Sequence, residues 1–152
     1  MKIFLVILAA GESKRLKNAI PKQYTKVGNK TILEHSLVAF NDFHQIKKTI
    51  VVYNKKHKKY LKKLNLKNVI KITGGNTRQQ STFKALKRIK KMDCNKILIH
   101  DSARPFPPRG LINKIIYNIK KNDAVIPIVK VNDATKRVEK NMVFKNIQRN
   151  NL

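Results

Sequence analysis

Acidic residues are scarce in this chain: eight Asp and Glu stand against 35 Lys and Arg in 152 residues, a formal charge of +27. The one cysteine excludes an internal disulfide framework and a Cys-rich zinc site, and fits a reducing compartment. Tryptophan is absent, and five prolines with five glycines are too few for a collagenous or linker-like chain. No run approaches the roughly 20 apolar residues of a membrane span, so no membrane partner is expected. What is present suffices for one packed core: 41% of the residues are hydrophobic, and 152 residues is one domain's length.

Taken alone, +27 points to nucleic acid or an anionic membrane surface. Its make-up points elsewhere. Of the basic residues 28 are Lys and only 7 Arg, whereas base-reading and phosphate-gripping surfaces favour the planar Arg fork. Lys, Asn and Ile together supply 62 residues, and the codons of all three are rich in A and T. The lysines are scattered over 47–48, 55–63, 84–91, 114–121 and 130–145, as on solvated helix faces. There is no RNP signature, zinc-finger spacing or helix-turn-helix pattern, so no nucleic-acid partner is expected. Met1-Lys2 and the apolar run from Ile3 to Ala10 imitate an export signal, but Gly11-Glu12-Ser13-Lys14-Arg15 follows at once. The run reads instead as a strand buried on both faces, and the protein as cytoplasmic.

The pattern along the chain predicts strands at 2–9, 48–53, 69–73, 96–100 and 123–129. Helices are expected at 55–64, at 109–120, after the capping box Thr31-Ile32-Leu33-Glu34, and from Thr77 to about residue 91, the last burying Phe83, Leu86 and Ile89. Residues 130–150 read as strands or an extended arm with a turn near Lys140-Asn141. Strands alternating with helices at this spacing predict a three-layer α/β fold with a mainly parallel sheet.

In such sheets ligands bind beyond the carboxyl ends of the strands. Four polar clusters follow predicted strands and are expected to converge on one rim. In the first, Ala9, Ala10 and Gly11 let the backbone approach a ligand, and Arg15 and Lys22 add cations across a loop able to fold over a triphosphate. Neither a Walker pattern nor Gly-x-Gly-x-x-Gly is present. The second, Gly74-Gly75-Asn76-Thr77-Arg78-Gln79-Gln80-Ser81, aims backbone amides and a helix N-terminus at anions or base edges. The third is His100-Asp101-Ser102-Ala103-Arg104-Pro105. Asp101, a rare acid among cations, suits Mg²⁺ held against phosphate oxygens; a salt bridge to Arg104 or a helix cap is the structural alternative. His100 reads as a packing residue. The fourth, Val131 to Arg137 with Gln148-Arg149-Asn150 beyond, is either a grip on a second phosphate-bearing substrate or surface loop.

Leu-Ala-Ala-Gly-x-x-x-Arg-Leu with Pro-Lys-Gln-Tyr, then Ile-Leu-Glu-His-Ser, Gly-Gly-x-x-Arg-x-x-Ser and His-Asp-Ser-Ala-Arg-Pro occur in that order. From Lys2 to Leu152 the chain resembles the 2-C-methyl-D-erythritol 4-phosphate cytidylyltransferases of the non-mevalonate isoprenoid pathway. The resemblance implies a Rossmann-like nucleotidyltransferase fold that transfers a cytidylyl group from CTP to a polyol phosphate, with Mg²⁺, in a homodimer. By position it implies that Arg15 and Lys22 stabilise charge on the α-phosphate and that Ala9, Ala10 and Gly11 form the nucleotide loop. Gly75, Asn76 and Ser81 fall at cytosine and ribose contacts, with Arg78 beside them. Asp101 matches the metal-binding aspartate and Arg104 its neighbour in the motif. Arg149 matches an arginine on a dimer arm, 130–152, that reaches the polyol phosphate in the partner subunit.

Ser13 stands where the family usually has a second small glycine. Ala134 stands where it usually has a substrate-binding Thr, with Thr135 adjacent as a substitute. Family domains run for roughly half as much chain again, so the resemblance implies one cytidylyltransferase domain over 1–152, C-terminally truncated: a shortened gene product, a fragment, or part of a bifunctional enzyme. The nearest alternative acceptor is ribitol 5-phosphate. Alternatives of another class are an inactive remnant and a basic nucleic-acid-binding domain.

Overall fold

The structure, a computed structural model, describes residues 1–12 and 20–148. Arg15 and Arg149 lie outside the described residues. The chain divides into two compact units, Met1–Ile112 and Asn113–Leu152.

In the first unit, β1 (Ile3–Ala9) is buried at every residue, as its unbroken apolar run requires. A 3₁₀ turn (Lys22–Tyr24) and a two-stranded ribbon, β2 (Lys26–Val27) with β3 (Lys30–Thr31), lead into α1 (Ile32–Val38). The predicted capping box is formed: Glu34 N donates to Thr31 Oγ1 at 3.2 Å, and Thr31 N donates back to Glu34 Oε2 at 2.8 Å. Next come β4 (Ile46–Tyr53), α2 (Lys58–Leu61), β5 (Val69–Thr73), α3 (Arg78–Ile89) and β6 (Lys96–Asp101). The four long strands form one parallel sheet in the order β5-β4-β1-β6. On one face Phe4, Val6 and Leu8 of β1 and Ile50 and Val52 of β4 pack with Ala85 and Ile89 of α3. Side chains alternate across a strand, so Ile3, Leu5 and Ile7 serve the other face; α1 packs on β1 outside the α3 cluster. The three-layer α/β expectation holds.

The order gives the site its place. The chain leaves β1 on one side to make β4 and β5, then returns to β1's other side for β6. Strand order therefore reverses between the carboxyl ends of β1 and β6, where such sheets open a crevice.

Three local expectations fail. The helix expected over 55–64 is a 3₁₀ turn (Lys55–His57) and a single α-helical turn, α2. Its sequence places Lys four residues from Lys at 55/59, 58/62 and 59/63 with no acid between, and those repulsions disfavour a longer helix. Phe83 is 65% exposed. The buried positions of α3 are Ser81, Ala85 and Ile89, four apart, and Phe83 lies on the opposite side of that stripe. Residues 123–129 form no strand, and Ile126, Ile128 and Val129 are exposed. Their β-branched run has strand propensity, but none of the described strands pairs with it, and Pro127 has no N–H for a ladder.

α4 (Arg109–Asn118) starts at the end of the first unit. The second unit holds a hairpin, β7 (Thr135–Glu139) with β8 (Met142–Ile147). Its turn falls where expected, at Lys140 and Asn141, with φ of 48° and 64°. Two left-handed residues in a two-residue loop match the strands' twist.

Candidate functional site

Three of the four clusters meet in a cleft of about 1410 Å³ at the carboxyl ends of β1, β4, β5 and β6. The fourth, 130–137, belongs to the second unit; there Thr135 opens β7, its hydroxyl 3.4 Å from Asp133 O. A smaller cleft of about 690 Å³ lies at the other ends of β4 and β5 among Lys30, Lys47, Lys48 and Lys67, away from every candidate residue.

At the end of β1 the chain runs through Ala9, Ala10 and Gly11, and their carbonyls are held by side-chain amides. Gln23 Nε2 donates to Ala9 O and Gly11 O, each at 2.9 Å, and Asn54 Nδ2 donates to Ala10 O at 3.3 Å. Gln23 is only 4% exposed because the 3₁₀ turn opened by Pro21 rolls it inward. The same turn leaves Lys22 on the rim of the cleft.

Behind Gln23 sits a ring cluster. Tyr24 stacks on Tyr60 at 5.4 Å and meets His57 edge-on at 5.7 Å, and His57 Nδ1 is 3.5 Å from Gln23 Nε2. Both hydrogens of that nitrogen go to Ala9 O and Gly11 O, so the ring is a close neighbour of the amide, and burial pulls the imidazole's pKa below its ordinary value. Burial, with Tyr53 nearby, pushes the Tyr24 phenol up to about 12. Its hydroxyl has no partner among the described residues.

After β5, Gly74 N donates to Tyr53 O at 2.8 Å and starts the two-glycine segment. A Cβ on Gly74 would lie 2.7 Å from Ala10 Cβ, and one on Gly75 would lie 2.5 Å from Gln80 Cβ. Close approach explains these glycines, since neither has a positive φ. The opening residues of α3 then hold the segment. Thr77 caps the helix through Gln80 N at 3.1 Å, Ser81 Oγ accepts from Gly75 N at 3.0 Å, and Gln80 Oε1 accepts from Asn76 N at 2.9 Å. Lys84 Nζ donates to Gly74 O at 2.8 Å.

Asp101 ends β6 between two arginines. Arg78 Nε lies 3.1 Å and its terminal nitrogen 3.0 Å from Asp101 Oδ1, and Arg104 Nε lies 4.0 Å from Oδ2. The carboxylate stays half-exposed in the cleft. The arginine pairing weighed from sequence is thus present, with Arg78 as the nearer partner. His100 packs as expected: its ring meets Phe40 at 5.0 Å, Nε2 donates to Arg104 O at 2.8 Å, and burial lowers its pKa.

Among the described residues six cations line the cleft, Lys22, Lys55, Lys56, Lys84, Arg78 and Arg104, against two acids. Glu12 pairs with Lys56 at 3.1 Å and Asp101 with Arg78, so the surplus favours an anionic ligand. Among the described residues no three His, Cys, Asp or Glu cluster as a metal cage. The sequence reading missed Lys55, Lys84, Gln23 and Asn54. The lysines were hidden among 28, and a buried amide in a loop leaves no periodic signal.

A family model described as IspD: 2-C-methyl-D-erythritol 4-phosphate cytidylyltransferase matches residues 3–152. A bifunctional enzyme IspD/IspF of Pelagibacter ubique is 43% identical over 152 residues, covering 100% of this chain and 41% of the relative. A 2-C-methyl-D-erythritol 4-phosphate cytidylyltransferase of Wigglesworthia glossinidia brevipalpis is 36% identical over 155 residues, covering 99% of this chain and 66% of the relative. Among solved structures, the bifunctional IspDF of Campylobacter jejuni superposes with a TM-score of 0.84 at 30% identity, over 100% of this chain and 38% of that one. The Francisella tularensis 2-C-methyl-D-erythritol 4-phosphate cytidylyltransferase gives 0.78 at 30% identity, over 100% and 68%. The chain thus spans 41% and 66% of the lengths of these two sequence relatives.

Proposed function

The chain belongs to the 2-C-methyl-D-erythritol 4-phosphate cytidylyltransferase family, and from that premise we propose that it transfers a cytidylyl group from CTP to 2-C-methyl-D-erythritol 4-phosphate. The observation that carries this is the meeting of the 9–11 loop, the two-glycine segment and Asp101 in one cation-lined cleft at the strand-order reversal. Such a cleft suits a nucleoside triphosphate. Gly75, Asn76 and Ser81 flank the base and ribose, with Arg78 beside them, and the 9–11 loop takes the phosphates.

A phosphate oxygen of the acceptor attacks the α-phosphorus in line and the bond to the β-phosphate oxygen breaks. The products are the cytidylylated acceptor and pyrophosphate, and no covalent enzyme intermediate is required. Catalysis then consists of positioning and of neutralising charge, the work assigned to Lys22 on the rim and to Arg15. Asp101 would hold Mg²⁺. One half-exposed carboxylate in the cleft fits an ion that takes its remaining ligands from phosphates and water. When bound, the ion supplies charge neutralisation at the phosphates. The hairpin exposes Val138 and Val143, which pair across it, with Met142 on the opposite face and Phe144 at the register shift; these exposed apolar side chains support pairing with a second copy, and Arg149 beyond them is assigned to the acceptor phosphate across that pairing. A cytoplasmic location is proposed with it; no described helix is long and apolar enough to cross a membrane.

The test is pyrophosphate release with Mg²⁺, CTP and methylerythritol 4-phosphate, run beside ribitol 5-phosphate and duplex DNA controls. Lys22→Ala is expected to cut turnover by about 100-fold or more while weakening CTP affinity far less. Unchanged turnover in that variant would sink the assignment. Faster turnover of ribitol 5-phosphate would move the acceptor to the alternative.

A further inference from the structure

We propose that Gln23 and Asn54 are positioning residues that set the direction of the peptide groups between Ala9 and Glu12, and thereby build the anion-binding side of the cleft from behind. The proposal rests on the cytidylyltransferase reading only for the identity of the anion.

Ala9, Ala10 and Gly11 present three consecutive carbonyls, and all three accept from side-chain amides. A trans peptide is planar, with its N–H pointing opposite to its C=O. Fixing these carbonyls therefore fixes the N–H groups of Ala10, Gly11 and Glu12 in the opposing directions. The matter is acute at Gly11, where, among the described residues other than its chain neighbours, no atom lies within 4 Å of the position a Cβ would take. What the described residues supply to orient its peptides is hydrogen bonding, from Gln23 to Gly11 O and from Asn54 to Ala10 O. Turned the other way, the loop would offer carbonyl oxygens to an arriving phosphate, and the contact would be repulsive.

The two amides also tie the loop to the rest of the cleft. Gln23 shares a single 3₁₀ turn with Lys22, so the turn that buries one amide against the loop sets the rim lysine beside it. Asn54 uses both ends of its amide. Nδ2 holds Ala10, while Oδ1 accepts from Lys56 N at 2.9 Å, and Lys56 in turn pairs with Glu12 at the loop's far end. The two carbonyls themselves keep Gln23 the right way round, because both hydrogens of its Nε2 are spent on Ala9 O and Gly11 O.

The test compares Gln23→Glu, Gln23→Ala and Asn54→Ala by backbone NMR and by calorimetric titration with Mg-CTP and with inorganic tripolyphosphate. Gln23→Glu keeps the shape but replaces a donor facing two carbonyls with an oxygen. The expected result is that the order parameters of Gly11 and Glu12 fall below about 0.6 in the ligand-free variants. With that loss, affinity for both anions weakens about tenfold. If the Gln23 variants do not fold, Asn54→Ala, at a half-buried site, carries the test through the order of Gly11. Unchanged order at Gly11 and Glu12 overturns the proposal, and so does weakened affinity with unchanged order, which would make Gln23 a direct ligand contact. Loss of order in the variants of a chain that binds tripolyphosphate but not CTP upholds the positioning and overturns the cytidylyltransferase reading.

Discussion

Gly74→Ala tests the packing of the cleft most directly. The added Cβ falls 2.7 Å from Ala10 Cβ, 2.8 Å from Ser81 Oγ and 3.3 Å from Val52 Cγ1. Carbon pairs rest at about 3.5–4.0 Å, so about 1 Å of space has to be found. None of the three neighbours yields easily. Val52 is fully buried in β4, Ala10 is pinned by Asn54, and Ser81 is buried in α3 with its hydroxyl engaged by Gly75 N. The Gly74 peptide must therefore move, straining its 2.8 Å bonds to Tyr53 O and from Lys84 Nζ. Overpacking of this kind costs about 1–3 kcal/mol, and the stiffer unfolded chain returns about 0.4–1 kcal/mol. A net loss of about 1–2 kcal/mol lowers a urea midpoint by about 0.5–1 M. Because Gly74 and Ala10 both line the cleft, Mg-CTP affinity is expected to fall at least about tenfold with it. Gly110→Ala, with open space around the added carbon, is the control and should not lose stability. A Gly74→Ala protein with the parent's midpoint and affinity refutes the close-approach reading of the two-glycine segment.

Two further outcomes follow from buried groups. Tyr24→Phe removes a buried hydroxyl with no partner among the described residues and is expected to leave stability unchanged or raise it by about 1 kcal/mol; a loss of that size in urea melts would mean the hydroxyl is satisfied. Burial lowers the pKa of both His57 and His100, outweighing the nearby carboxylates of Glu12 and Asp101. The unfolded chain therefore takes up these protons first as pH falls. Their contribution to stability is complete above about pH 6.5 and declines as pH drops through the depressed folded values. Urea midpoints at pH 7.5, 6.5 and 5.5 should descend in that order, and a rising series contradicts the assignment.

How legible the molecule was depends on where each element finds its partners. β1 could be read because both its faces meet protein, so every position had to be apolar. α1 carries its start signal within four residues, and β5 ends at a glycine pair that marks its own boundary. The run 123–129 shows the limit. Its side chains satisfy strand propensity as well as those of β5 do, but a strand also needs a neighbour, and propensity does not supply one. The cleft divides in the same way. Asp101, Lys22 and the glycines stand out by rarity or placement. Gln23 and Asn54 act on carbonyls 12 to 44 residues away, contacts that arise only once the sheet has brought the strand ends together.

The charge divides along a similar line. A formal +27 acts on any anion at long range, within about a Debye length of 8 Å at physiological salt, and raises encounter rates without choosing a partner. Lys55 and Lys84 belong partly to that general field. Lys84 also holds the Gly74 carbonyl, so one of the abundant lysines acts as a local strut. Discrimination needs groups whose direction is fixed, and here those are uncharged: the amides of Gln23 and Asn54, the hydroxyls of Thr77 and Ser81, and glycines whose missing side chains let two loops close together. Among the charged groups, Asp101 is also fixed, gripped by Arg78 at two nitrogens. The abundant lysines therefore act on any anion at long range, and the few neutral groups at the strand ends fix the local geometry of the cleft.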